Sequence, residues 1–278
     1  MKNKVWLITG CSTGFGRALA TVVLKYGDRV AVTSRNLADI LDIVQSYPDT
    51  ARAIRLDVTD QQQISSAIGS VINEFGKIDV LVNNAGIGYF GAVEESQEDE
   101  IRRMFEINFW GLSEMTRRVL PLMRRQKSGH IINISSIGGL KSFPSLGYYN
   151  ATKFAVDGLS EALFKELAPL NIHVTIVAPG NFRTDWAGRS AKNSPVIIDD
   201  YAFTSEATKK RVRGISGKQT GDPLLAARAI IKAVEAERPP LRLLLGTDAL
   251  EGAREKLAEL ASDYSAWEDT TLSCDYKF

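Results

Sequence analysis

Thr9-Gly10-Cys11-Ser12-Thr13-Gly14-Phe15-Gly16-Arg17 follows the apolar run 5–9 and leads into a stretch whose apolar residues Leu19, Val22, Val23 and Tyr26 fall at three- and four-residue spacing. An extended run, a glycine loop and an amphipathic helix in that order form a strand-loop-helix unit. The glycines at 10, 14 and 16 permit a tight turn and let backbone N–H groups approach an anion at the positive end of the helix. A dinucleotide pyrophosphate is held in this way, so Gly10, Ser12, Thr13, Gly14, Phe15 and Gly16 are expected cofactor contacts.

Outward from this loop the same alternation recurs. Short β-branched or apolar runs at 5–9, 29–33, 53–56, 80–82, 130–134, 173–177 and 241–245 imply seven strands. Helix-compatible stretches separate them, for example Ile64, Ala67, Ile68, Val71 and Ile72. The expected fold is α/β, a Rossmann-type doubly wound, seven-stranded parallel sheet with helices on both faces, in a single domain over 1–278. Ligands then belong at the carboxyl ends of the strands. Two segments break the rhythm. Residues 181–222 are polar and irregular, with Gly188, Pro195, Gly214, Gly217 and Gly221, and read as a substrate-binding lid within the domain. Residues 247–278 read as a C-terminal helix and a tail with four aromatics, which could cap the pocket, pack on another subunit or cover the sheet edge.

Composition narrows the function class. With 34 basic and 33 acidic residues interspersed, the chain has no electrostatic footprint for nucleic acid or an acidic membrane surface, and a small-molecule partner is expected. No signal peptide is visible and no apolar stretch approaches the ~18 residues of a membrane span, so the expected location is cytoplasmic. Cys11 and Cys274 make no disulfide framework. No Cys, His and carboxylate cluster has metal-ligand spacing, so no metal is expected; His130 and His173 open strands.

The second strand ends at Ser34 and Arg35, where an acidic residue would favour a free ribose 2′-hydroxyl. A small hydroxyl and a guanidinium instead leave room and charge for a 2′-phosphate, with Thr13 and Arg17 able to assist. A charge-assisted hydrogen bond of roughly 1.5 to 3 kcal/mol corresponds to about a ten- to hundredfold preference, so NADP(H) is preferred and NAD(H) possible. Asp57 and Val58 after the third strand frame the adenine, with Asp57 alternatively capping the helix that begins near Asp60. Tyr149 and Lys153 are four residues apart, which on a helix sets a phenol beside an ammonium. A phenol titrates near ~10, and an adjacent cation lowers that value. The plain alternative is a solvated helix face.

These residues together resemble the short-chain dehydrogenase/reductase family in its compact form. The resemblance runs from residue 5 to about 245 and rests on the glycine loop, Asn83-Asn84-Ala85-Gly86, Asn108, Ser136, Tyr149 with Lys153, and Pro179-Gly180 with Thr184 beyond. It implies that Tyr149 is the general acid or base, that Lys153 lowers its pKa and holds the nicotinamide ribose, and that Ser136 binds the substrate oxygen. Asn108 would fix a relay water, satisfy buried backbone groups, or do both. Asn84, Ala85 and Gly86 would wall the cofactor, and Pro179, Gly180 and Thr184 would meet the carboxamide. A homodimer or homotetramer is implied, through the helix around 98–123 and the one beginning at Tyr149.

The opening Thr-Gly-Cys-Ser and residues 181–185 resemble the hydroxysteroid and retinol dehydrogenase-like branch and its bacterial relatives. Ile137, Phe143, Leu146, Phe182 and Trp186, with Gly138, Tyr89 and Phe90, are expected to form an apolar pocket for a small carbonyl or alcohol. The expected activity is an NADP(H)-dependent oxidoreductase, a carbonyl reductase, interconverting a ketone or aldehyde and an alcohol. Two alternatives stand beside it. One is a carrier-protein-linked 3-oxoacyl reductase, which would want a basic patch from Arg102, Arg103, Arg117, Arg118, Arg124 and Arg125. The other is a catalytically weak dinucleotide-binding regulatory protein.

Overall fold

Strand β1 (Val5–Ile8) is buried along its whole length in the computed structural model, which describes residues 3–188 and 190–276. Its side chains alternate between two cores: Trp6 and Ile8 enter one, Val5 and Leu7 the other. Burial on both faces explains why the strands read as nearly continuous apolar runs. β1 pairs in parallel with β2 (Arg29–Ser34), which pairs with β3 (Ala51–Arg55). On its other side lie β4 (Val80–Asn83), then β6 (Gly129–Ile134), β7 (Ile172–Pro179) and β9 (Arg242–Leu245), giving the order β3-β2-β1-β4-β6-β7-β9. All seven expected strands are present. The order reverses between β1 and β4, and the glycine loop and the Asn83–Gly86 motif leave the sheet at that crevice.

Helices α1 (Gly14–Tyr26) and α8 (Pro223–Glu235) cover one face of the sheet through Leu19, Val23, Ile230 and Ile231, with the short α2 (Leu41–Ser46) at its edge. The other face carries α3 (Gln61–Phe75), α5 (Leu112–Gln126) and α6 (Gly147–Leu167), which contribute Val71, Met115, Val119 and Leu163, while α4 (Glu98–Phe105) packs against α6 and buries Met104 in a separate cluster. The chain closes with α7 (Ala207–Gly214), α9 (Thr247–Ala266) and α10 (Glu268–Leu272).

Local chemistry fixes several of these boundaries. Asp60 caps α3, accepting from Gln62 N at 2.9 Å and Gln63 N at 3.0 Å. Asp57 is therefore not the cap; its carboxylate accepts from Thr59 N and Thr59 Oγ1. Asp79 braces β1 by accepting from Val5 N at 2.7 Å. His130 is buried with Nε2 2.9 Å from the Thr175 hydroxyl, which itself donates to Pro240 O. Burial, with the nearby His173 and Lys4, pushes its imidazole down to about 3, so it sits neutral in the core.

Two features escape the sequence pattern. A second, two-stranded parallel ribbon joins β5 (Gly88–Phe90) to β8 (Ala191–Asn193) and ties the irregular 181–222 segment to the mouth of the sheet. The expected long helix over 98–123 is interrupted by a π-helical turn at Glu106–Gly111. Among the described residues no helix is long and apolar enough to cross a membrane, and no group of three or more His, Cys, Asp or Glu is placed to hold a metal ion.

Candidate active site

A cavity of about 1090 Å³ opens at the carboxyl ends of the strands. Nearly every expected site residue lines it: Gly10, Ser12, Thr13, Gly14, Phe15, Ser34, Arg35, Asp57, Val58, Asn84, Ala85, Gly86, Ser136, Tyr149, Lys153, Pro179, Gly180 and Thr184. Among the expected catalytic and cofactor-binding residues Gly16 and Asn108 are the exceptions, and both act from behind the wall. A Cβ on Gly16 would lie 2.4 Å from Gly10 O and 2.5 Å from Asn84 Nδ2, so only glycine allows this approach of the loop to α1 and to β4's end. Gly10 has φ +70°, in the left-handed region. Asn84 Nδ2 donates to Thr9 O and Gly10 O, while the Thr9 hydroxyl accepts from Asn84 N and Ala85 N. Thr13, at the N-cap of α1, makes no side-chain cap bond, so the first-turn N–H groups keep their capacity for an anion.

Arg35 is exposed and makes no hydrogen bond or ion pair among the described residues, beside a buried Ser34. Arg17 is not free to assist: its guanidinium donates to Asp39 O at 2.9 Å and pairs with the Asp42 carboxylate. Asp39 also lines this end of the cavity, which sequence reasoning missed because it lies in a 3-10 turn beyond the strand. Cys11 is fully buried, and burial pushes its thiol up to about 12, leaving it inert.

Helix α6 brings Tyr149 and Lys153 to the cavity, and Ser136 joins them from the end of β6. Ser136 Oγ accepts from Gly138 N at 3.0 Å, and Ser136 and Tyr149 both line the cavity. The expected depression of the Tyr149 pKa is absent. Burial pushes the phenol up to about 12, opposed only by the Ser136 hydroxyl. The Lys153 ammonium is 5.8 Å from the Tyr149 ring centroid and donates to Ile134 O at 2.8 Å. Desolvation wins because both groups have left water. Burial likewise lowers Lys153 to about 8, against the charge of Asp157. Asp157 is raised to about 6 by burial, opposed by the Ser135 hydroxyl, which donates to it at 2.5 Å, and by Arg242 and Lys153.

The Asn108 side chain takes the backbone-satisfying role. Its Oδ1 accepts from Ile87 N, and its Nδ2 donates to Ile87 O and to Thr152 Oγ1. Both amide hydrogens are taken, so the side chain satisfies buried backbone and fastens α6 to the wall. The π-turn that carries it is the local distortion that presents it.

On the substrate side Ile137, Gly138, Phe143, Leu146, Phe182 and Trp186 all line the cavity. The Trp186 ring lies 4.9 Å from that of Tyr149, and Phe182 packs 5.0 Å from Phe15. Tyr89 and Phe90 do not reach the cavity: they are buried in β5, and Phe90 supports Trp186 from behind at 5.7 Å. Sequence reasoning missed Thr208, Arg211 and Val212 on α7, Ile215 and Gln219 beyond it, and Asp248, Glu251 and Glu255 on α9. The Asp248 carboxylate accepts from Asn181 N and Nδ2, both at 2.7 Å. A Cβ on Gly180 would meet that carboxylate at 2.0 Å, so Pro179-Gly180 and α9 are fitted to each other. Nothing in the local pattern of α9 signals this return to the site.

The arginines considered for a carrier protein are in part engaged by carboxylates of their own helices. Arg102 pairs with Glu98, and Arg117 and Arg118 pair with Glu114.

Comparison with known proteins agrees with this geometry. Residues 4–195 match the family model described as short chain dehydrogenase. The chain is 37% identical over 272 residues to oxidoreductase BOA17 of Botryotinia fuckeliana, covering 98% of this chain and 99% of that one. It is 38% identical over 248 residues to a 3-ketodihydrosphingosine reductase of Bacteroides thetaiotaomicron, covering 88% and 89%. A short-chain dehydrogenase structure from Streptomyces avermitilis superposes with a TM-score of 0.93 at 42% identity, covering 99% of this chain and all of that one. Two further structures hold cofactor: a Burkholderia phymatum relative with NAD (TM-score 0.82, 26% identity, 94% and 95% covered) and ElxO with NADP (0.74, 28%, 90% and 100%).

Proposed function

The chain belongs to the short-chain dehydrogenase family, and from that premise we propose that it is an NADP(H)-dependent oxidoreductase interconverting an apolar ketone or aldehyde and its alcohol. One observation carries the reading: Ser136, Tyr149 and Lys153 line one cavity where a dinucleotide-sized cleft meets an apolar pocket. The glycine loop and the start of α1 would hold the diphosphate, with Ser34 and Arg35 at the 2′-phosphate and Asp57 and Val58 at the adenine. Asn84, Ala85 and Gly86 would form the wall, and Pro179, Gly180 and Thr184 would hold the carboxamide. Bound cofactor supplies the hydride to the carbonyl carbon, or accepts it in the reverse direction.

The chain's own residues handle the proton. Burial keeps Tyr149 Oη protonated at neutral pH, ready to transfer its proton to the substrate oxygen as charge develops there. The phenolate left behind would be stabilised by the Ser136 hydroxyl and by Lys153, and Ser136 would also orient the substrate oxygen. Asn108 acts as a positioning residue, fastening α6 to Ile87. The 181–222 segment would serve as the lid, with Trp186 and Phe182 excluding water. Arg35, free of protein partners, supports the NADP(H) preference, and the name of the Bacteroides relative supports an apolar ketone. We further place the enzyme in the cytoplasm as a homo-oligomer.

NADPH consumption over a panel of ketones and aldehydes tests this. Turnover of apolar carbonyls is expected, lost on Tyr149→Phe. Tight NADPH binding with no carbonyl reduced would leave the regulatory reading in its place.

A further inference from the structure

Helix α7 turns a polar pair toward the cavity that nothing in the protein uses. Thr208, Arg211 and Val212 fall at three- and four-residue spacing within one turn, and all three line the cavity. Val212 fixes where that face points, because it packs against the cluster that holds Leu146, Tyr149 and Trp186. The polar pair therefore stands on the substrate side.

Neither polar side chain has a partner. Thr208 is only 9% exposed, yet its hydroxyl makes no hydrogen bond among the described residues. A buried hydroxyl is ordinarily bonded, and this one has its donor and acceptor positions open to a ligand. Arg211 is exposed and makes no hydrogen bond or ion pair among the described residues. The other cations around it are spent: Lys209 and Lys210 pair with Glu206, Arg213 donates to the carbonyls of Ala187, Gly188 and Ala191, and Arg103 and Lys192 share Glu100. Residues 207–218 hold five basic residues and no acidic one, so this wall attracts anions. Glu251 also lines the cavity without a partner, but on a different wall. It belongs to α9, beside Gly252, where a Cβ would lie 3.3 Å from Ile137 Cγ1.

We propose that Thr208 and Arg211 bind a carboxylate at the end of the substrate remote from its carbonyl. The substrate class is then an oxo acid, or the matching hydroxy acid, with an apolar chain between its two functional groups. A guanidinium fits a carboxylate through two parallel N–H···O bonds, and the Thr208 hydroxyl can donate a third. The apolar chain would lie along Val212 and Trp186, with the carbonyl at Tyr149. A ketone ending in an amine is repelled by the same charge. The inference rests on the reaction proposed above and adds the second end of its substrate.

The full chain with NADPH is assayed on methyl ketone acids from 5-oxohexanoate to 9-oxodecanoate and on their methyl esters. At the best chain length the acid is expected to exceed its ester about tenfold in kcat/KM, chiefly through KM. Arg211→Gln is expected to bring that ratio near one, Arg211→Lys to restore part of it and Thr208→Val to lower it about threefold, while melting temperature and NADPH affinity hold. A wild-type ratio near one, or a ratio that Arg211→Gln leaves unchanged, overturns the site. Weakened NADPH binding in Arg211→Gln overturns it too, by placing the guanidinium at the cofactor. Decanoate, which has no ketone, tests the site apart from the reaction. Calorimetric binding to the NADP⁺-bound chain that Arg211→Gln abolishes upholds the site even where no ketone is reduced, and absence of such binding overturns it.

Discussion

The two walls of the cavity are built by different means. On the cofactor side, residues leave the ends of β1, β2 and β4 within a few positions, and Thr9 and Asn84 clamp the two central turns together. On the substrate side, the wall comes from 3-10 and π-turns, a three-residue ribbon, α7 and α9. Its tie is a side chain: Arg213 donates to the carbonyls of Ala187, Gly188 and Ala191 and to Asn193 Oδ1, with its guanidinium 4.8 Å from the Phe90 ring centroid. The first wall inherits its geometry from the sheet's backbone ladder, whereas the second is held by a few replaceable contacts. A wall of the second kind can change its specificity without disturbing the first.

That contrast can be broken at the seam between the walls. Tyr149→Phe should lower kcat about 10²–10⁴-fold in steady-state assays while NADPH affinity holds, because only the transferable proton is removed. Retained turnover would mean that the proton comes from elsewhere. On the cofactor side, Arg35→Ala should cut the NADPH-over-NADH preference about ten- to hundredfold, by the same factor for every substrate. If the factor varied with substrate, the walls would not be independent. On the substrate side, Arg213→Lys cannot reproduce the fork of bonds to the lid and should raise substrate KM roughly tenfold with NADPH Kd unchanged by titration. Trp186→Ala should re-rank bulky against small carbonyls by up to roughly tenfold in kcat/KM, and an unaltered ranking would remove Trp186 from the pocket.

The smallest effect concerns pH. Lys153 is lowered to about 8 by burial, with Asp157 pulling it upward, so the ammonium is present below that pH and lost above it. Asp157→Asn removes the charge that favours the protonated amine. The alkaline limb of the kcat/KM profile should then move to lower pH; movement to higher pH would show that Asp157 does not act on Lys153. Ser135, Arg242 and Glu161 also face Asp157, so Ser135→Ala serves as the control for loss of its hydrogen bond alone.

Legibility followed the same division. Parallel strands buried on both faces announce themselves as apolar runs, so the sheet was readable, and residues just past strand ends inherited their positions from it. The glycine loop was found this way, whereas Tyr149 and Lys153 were found by their four-residue spacing on a helix, and Asn84 and Ser136 through the family resemblance. Tyr89 and Phe90 were misassigned because a three-residue strand gives no period, and β5 turns them behind Trp186. Asp57 was a plausible cap for the helix beginning near Asp60 until the partners of both carboxylates were known.

Sequence alone determined the α/β sheet and the crevice at its switch point, because these follow from local periodicity and fixed distances along the chain, while the polar residues around it were named largely through the family resemblance. Tertiary structure alone decided that burial outweighs the Lys153 charge on Tyr149, that Asn108 spends its amide on Ile87 and Thr152, and that α9 returns to wall the pocket and then leaves the body. The reason is physical. Desolvation, hydrogen-bond partners and the packing of a distant helix depend on which atoms surround a group, and those neighbours come from parts of the chain that local spacing does not connect.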